Sequence, residues 1–125
     1  MRNSRGDVVL VLFPDSNLRT AKRRPALVVQ ADDLQTGLPQ VIVAMISSNM
    51  ARAGHPSRVT ILRASAHGQQ MGLRTDSVIM TDNLATIAHG EVDCVIGQLA
   101  DMRPVDVALC HTLGLPPPPQ LTTDN

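Results

Sequence analysis

Aromatic side chains are almost missing from this chain: among its 125 residues Phe13 is the only one, and Trp and Tyr do not occur. This argues against a protein that grips single strands by stacking bases on flat rings, so any nucleic acid would be held by Arg planes, hydroxyls and backbone groups. Long apolar runs are absent too. No segment is long enough to cross a bilayer, and the first residues lack the charged-then-apolar order of a secretory leader. The expectation is a soluble, cytoplasmic protein with no membrane partner. Only two cysteines are present, Cys94 and Cys110, without CxxC spacing; they read as reduced, partly buried thiols rather than a disulfide. His55, His67, His89 and His111 are scattered with no HxxxH pair, and neither GxxxxGK nor GxGxxG occurs. These gaps remove most metallohydrolase and nucleotide-dependent readings, and no cofactor is expected.

What is present fits one domain with a single core that needs no metal or disulfide to support it. The formal net charge of zero hides a strong segregation. Up to Arg74 ten Lys and Arg face four Asp, whereas from Thr75 onward Arg103 alone faces seven acids. Overall neutrality therefore does not argue against a nucleic-acid surface, provided the fold keeps the basic positions together.

Strand-like segments follow one another along the chain. Val8 to Phe13 and Ala26 to Gln30 are continuously apolar, with Pro14 ending the first and Pro25 opening the second. Val41 to Ile46 is a third run and Arg58 to Leu62 alternates like a half-exposed strand. Gly68 and Gly72 mark turns. Ser77 to Thr81, Leu84 to Ile87 and Val95 to Leu99 complete the series, a spacing that points to a small barrel or strongly bent sheet. The last element differs. Asp101 is an N-cap, Pro104 lies in the first turn, and Val105, Ala108, Leu109, Thr112 and Leu113 trace one helical face that ends at Gly114. On this helix Cys110 and His111 are adjacent, so their side chains diverge by about 100° and cannot act together. Residues 1–115 thus form the domain, and 116–125, with Pro116 to Pro119, read as a disordered tail.

The most informative segment lies between the first two runs. A polar stretch there ends in Lys22-Arg23-Arg24 just before Pro25, which places three cations in a loop at the rim of a buried sheet. Two readings stand: a soluble hairpin tip, or a grip for a polyanion.

The run from Gly6-Asp7-Val8 through Phe13-Pro14 to Arg24-Pro25-Ala26-Leu27-Val28 resembles the N-terminal signature of the MazF/PemK (Kid) toxins of type II toxin-antitoxin systems. Val43-Ala44-Met45-Ile46-Ser47-Ser48-Asn49, Gly72-Leu73-Arg74-Thr75-Asp76-Ser77-Val78 with Asp82, and Gly97-Gln98-Leu99 before a helix are similar to later segments of the same family, in order. The resemblance covers about residues 5–114. It implies a mainly β fold, a small SH3-like barrel with a C-terminal helix, working as a homodimer. It further implies metal-independent cleavage of single-stranded RNA, mostly mRNA, to 2′,3′-cyclic phosphate and 5′-hydroxyl ends. A cognate antitoxin with an acidic flexible tail would restrain the activity, and operator DNA is a further partner of toxin and antitoxin together.

Carried over by position, the active-site residues fall on Arg24, Ser47 and Asp82. Attack by a 2′-hydroxyl builds charge on the phosphoryl oxygens, for which a two-point guanidinium donor such as Arg24 is suited. Ser47 would hydrogen-bond the scissile phosphate or orient the 2′-hydroxyl, but a hydroxyl is no base. For Asp82 three readings stand: proton acceptor, support for Arg24, or a turn-capping Asp. Arg19, Lys22, Arg23, Ser48, Asn49 and Arg74 are RNA-contact candidates, with solvated loop charge the alternative for Arg19. The chain also departs from its relatives, some of which carry Arg in an Arg-x-Asp and a Pro-Arg-Thr context or a first-loop His. Here the residues are Met80-Thr81-Asp82, Leu84-Ala85-Thr86 and a loop without His. Two other functions fit the same architecture: a CcdB-type gyrase inhibitor, for which Arg24-Pro25 and Ser47 would have no use, and a catalytically weakened paralogue that binds antitoxin or operator DNA.

Overall fold

A continuous run of apolar residues can be a stable strand only where both of its faces are covered, and the first valine-rich segment shows how this is met. In the computed structural model, which describes residues 3–14, 19 and 21–118, β1 (Asp7–Pro14) sends alternate side chains to two cores. Val8 packs with Leu27, Ala44, Ile46 and Ile79, while Val9 and Val11 pack with Ala26, Val28, Val43 and Met45. Two faces and two cores follow from a period of two.

The other strands are β2 (Ala21–Val28), β3 (Gln40–Ser47), β4 (Arg58–Ile61), β5 (Ser77–Ala88) and β6 (Val92–Gln98). They form one antiparallel sheet in the order β4-β5-β3-β2-β1-β6. The architecture is barrel-like without closure, since β4 and β6 remain as edges. Helices α1 (Ala66–Gln70) and α2 (Arg103–Leu113) lie by the first core, to which Met71 and Val105 contribute. Pro104 stands in the first turn of α2 and Gly114 ends it in a left-handed conformation, φ 70°. The N-cap position is Met102, although the Asp101 carboxylate does accept the Arg103 backbone N–H at 3.1 Å.

Several expectations are revised. The three cations are not in a loop: β2 begins at Ala21, and Lys22, Arg23 and Arg24 stand opposite Phe13, Leu12 and Val11. Pro25 is interior to β2, opposite Leu10, and is tolerated there because pairing with β3 starts only at Ala26. Ser77 to Thr81 and Leu84 to Ile87 are one strand, interrupted where Thr81, Asp82 and Asn83 lie between Met80, opposite Met45, and Leu84, opposite Ala44. Gly68 does not mark a turn but lies inside α1, which is capped by the Ser65 hydroxyl accepting the Gly68 N–H at 3.0 Å. Both thiols are free, but Cys94 is exposed on β6 rather than partly buried; only Cys110 is partly buried. The expectations for the loop at 15–18 and 20 and for the tail at 119–125 lie outside the described residues.

One tight contact seats the segment after α1. A Cβ on Gly97 of β6 would stand 2.3 Å from the Met71 carbonyl carbon, and one on Gly72 would stand 2.2 Å from the Ile96 carbonyl oxygen. The backbones of the two segments therefore touch where each has a glycine, and Leu73, Arg74 and Thr75 are held beside β6.

Candidate nucleic-acid interface

Where β2 runs past the start of its pairing with β3, the sheet opens into a groove of about 1040 Å³. One wall is Arg23, Arg24 and Pro25 of β2. The floor and far side are Met45, Ile46 and Ser47 of β3, Ser48, Asn49 and Arg52 after it, and Met80 and Asn83 of β5. The glycine-seated segment adds Leu73, Arg74 and Thr75. Among the described residues four arginines line this groove and no carboxylate does. The charge segregation along the sequence has thus become a cationic surface.

Local hydrogen bonds set the Ser47 end. The Ser47 hydroxyl accepts the Asn49 N–H at 3.1 Å, and the Asn49 side-chain oxygen accepts the Ala51 N–H at 3.1 Å, capping a 3₁₀ turn over Met50–Arg52. A hydroxyl bound in this way still has its proton to donate. The register also brings Arg24 and Ser47 to one face: Arg24 lies two residues before Ala26, Ser47 lies two residues after Met45, and Ala26 pairs with Met45. Arg23 carries an ion pair with Asp93 at 3.3 Å, both partners largely exposed, so its charge is only weakly committed.

Asp82 is not brought together with Arg24 and Ser47. It is not among the groove-lining residues; the neighbouring Asn83 is, because the unpaired residues 81–83 break the alternation that would otherwise set Asp82 on the same face as Met80. The Asp82 carboxylate instead accepts from Arg58, at 2.9 Å from one terminal nitrogen and 3.5 Å from Nε. The hydrogen bond from Arg58 holds the Asp82 carboxyl below its ordinary 3.8, which makes it a weak proton acceptor at neutral pH. Of the sequence-derived contact candidates, Arg23, Ser48, Asn49 and Arg74 line the groove, while Lys22 and Arg19 are exposed outside it. Arg52 was missed. Its only signal was the Asn49 cap three residues earlier, inside a stretch that read as polar spacer.

Among the described residues, no cluster of three or more His, Cys, Asp or Glu that could hold a metal ion is present, and no helix is long and apolar enough to cross a membrane. Fold and groove together define a small antiparallel β protein with a cationic groove at one end of its sheet. Comparison with known proteins gives the particular family. Residues 4–113 match the family of PemK-like, MazF-like toxins of type II toxin-antitoxin systems, and the chain belongs to it. Endoribonuclease MazF6 of Mycobacterium tuberculosis and endoribonuclease MazF2 of Mycobacterium bovis are each 33% identical over 107 residues, covering 83% of this chain and 90% of theirs. A mycobacterial endoribonuclease solved with its cognate antitoxin has the same fold, with TM-score 0.70 and 24% identity over 94% of this chain and all of that one. The MazE-MazF structure from Deinococcus radiodurans matches with TM-score 0.67 and 19% identity, over 93% of this chain and 99% of that chain.

Proposed function

We propose that this chain is a sequence-selective endoribonuclease toxin that cleaves single-stranded RNA, chiefly mRNA, without a metal, leaving 2′,3′-cyclic phosphate and 5′-hydroxyl ends. The observation that carries this reading is a groove lined, among the described residues, by four arginines and no carboxylate, with Ser47 lining it too. Attack of the 2′-hydroxyl on the adjacent phosphorus forms one P–O bond and breaks the bond to the 5′-oxygen, the 2′-hydroxyl giving up its proton and the departing 5′-oxygen taking one up, so that no proton is gained or lost overall. Arg24 stabilises the negative charge that collects on the non-bridging oxygens, and the Ser47 hydroxyl donates to the same phosphate. Arg23, Arg74, Ser48 and Asn49 hold the flanking strand, with Lys22 and Arg19 adding charge from outside the groove. Asp82, turned away and held acidic by Arg58, acts through the frame of the groove rather than as a proton acceptor.

The protein works in the cytoplasm as a homodimer, and an antitoxin whose acidic tail lies along the arginines keeps it inactive; the two together bind operator DNA. In support, relatives named endoribonuclease MazF are 33% identical, and a structural neighbour was solved with its antitoxin. Incubation of the purified protein with mixed-sequence RNA in EDTA, followed by mapping of 5′-hydroxyl ends, tests the activity. Recurrent cuts that disappear in Arg24→Ala are expected. Scattered cutting, or cutting unchanged in that variant, refutes it.

A further inference from the structure

Arg52 reaches the groove from an element that no strand pattern announces. It ends the 3₁₀ turn Met50–Arg52, is exposed, and lines the side on which Met80 and Asn83 contribute no charge. Its backbone is pinned from below: one terminal nitrogen of Arg58 donates to the Arg52 carbonyl at 3.1 Å, while the other end of the same guanidinium grips Asp82. Asp82, Arg58 and the Arg52 carbonyl form a chain of charge-assisted bonds running from the β5 irregularity, across β4, to the turn. Arg58 is partly buried and Asp82 is exposed, so the brace fixes the geometry of the turn more than it adds to stability.

We propose that Arg52 is an additional RNA phosphate contact and that Asp82 and Arg58 are its positioning residues, holding the turn so that this guanidinium faces the strand. The inference rests on the RNA-binding part of the proposed function. Asp82 contributes to RNA recognition without touching RNA, through the place where it anchors Arg58. A guanidinium fork bridges a carboxylate and a carbonyl at once; an ammonium at the same place has neither the reach nor the planar geometry to do both.

The test uses the full chain and a single-stranded 2′-O-methyl RNA of mixed sequence, which lacks the attacking hydroxyl and so separates binding from cleavage. Dissociation constants are measured at several salt concentrations for wild type, Arg52→Ala, Asp82→Asn, Asp82→Glu, Arg58→Lys and the Arg52→Ala/Asp82→Asn double variant. Expected for Arg52→Ala is severalfold weaker binding and a log–log salt slope shallower by about 0.7, the value for one phosphate contact on a single strand. Asp82→Asn and Arg58→Lys weaken binding in the wild-type background. In the Arg52→Ala background Asp82→Asn has little further effect, the coupling that marks a residue acting through another. Asp82→Glu restores part of the loss.

An unchanged affinity and slope in Arg52→Ala overturns the contact. An Asp82→Asn penalty equal in both backgrounds overturns the positioning role and leaves Asp82 a merely structural residue. Failure of the wild type to bind the oligonucleotide overturns the proposal as a whole. Absence of RNA cutting with the binding pattern intact refutes only the nuclease reading.

Discussion

The electrostatic character of the groove has a measurable consequence in the salt dependence of RNA binding. Among the described residues four arginines, Arg23, Arg24, Arg52 and Arg74, line it and no carboxylate does. Each phosphate neutralised on a single strand contributes about 0.7 to the slope of log affinity against log salt, so four contacts give a slope of about −2.8. Raising monovalent salt from about 50 to about 200 mM then weakens binding roughly 50-fold. Arg23 counts among the four because its pair with Asp93 is exposed, and breaking it costs no more than about 1 kcal/mol. Replacing Arg24 and Arg74 together by Gln halves the expected slope to about −1.4 and reduces the loss over the same range to about sevenfold. Fluorescence anisotropy with a labelled 2′-O-methyl RNA at constant pH reads both quantities. A wild-type slope shallower than about −1, or a slope untouched by the double replacement, would refute the assignment of the groove as the RNA track.

Other consequences can be checked separately. Removing the donor that stabilises phosphoryl charge, in Arg24→Ala, lowers the single-turnover cleavage rate about 10²- to 10³-fold, and Arg24→Lys recovers only part of it; a loss confined to KM would show that Arg24 merely binds. Gly97→Ala forces a methyl group to within 2.3 Å of the Met71 backbone. An overpacking cost of about 1–3 kcal/mol is expected in thermal unfolding, together with weaker RNA binding as Arg74 shifts, and an unperturbed variant would disprove the tight seat. The Asp82–Arg58 pair also has a defined pH signature. Its folded carboxyl is more acidic than the ordinary 3.8, so its stabilisation is complete above that value and is lost as pH falls through the lower native one. The stability difference between wild type and Asp82→Asn is therefore flat at neutral pH and shrinks in acid, as denaturant titrations across pH would show. A difference that instead grows below pH 4 would contradict the pairing.

Much of this architecture was legible in the chain. All seven segments read as strands fall wholly or partly on the six strands, and the helix Arg103–Leu113 carries its own punctuation in Pro104 and Gly114. Family membership followed from ordered local segments, and Arg24 and Ser47, singled out on those segments, line one groove. What was not legible shares one physical cause. Lys22, Arg23 and Arg24 were placed in a loop because cations and a proline look like a rim, yet one-sided pairing with β1 keeps them extended. Asp82 was grouped with Arg24 and Ser47, yet the unpaired residues 81–83 of β5 leave Asn83, not Asp82, facing the groove.

The sequence by itself determined the strands, the helix, the family and the charges available, because these depend on residue type and on spacings within a few positions. Tertiary structure alone decided which charges meet. Register across the β3–β5 irregularity turned Asp82 toward Arg58, the glycine contact between Gly97 and Met71 placed Arg74, and the Arg58 bridge to the Arg52 carbonyl added a cation from a turn. The first two depend on partners distant in the chain, 24 residues away for the pair Arg58 and Asp82, and the third on the arginine that this distant partner holds; no local pattern encodes which face such a partner will leave open.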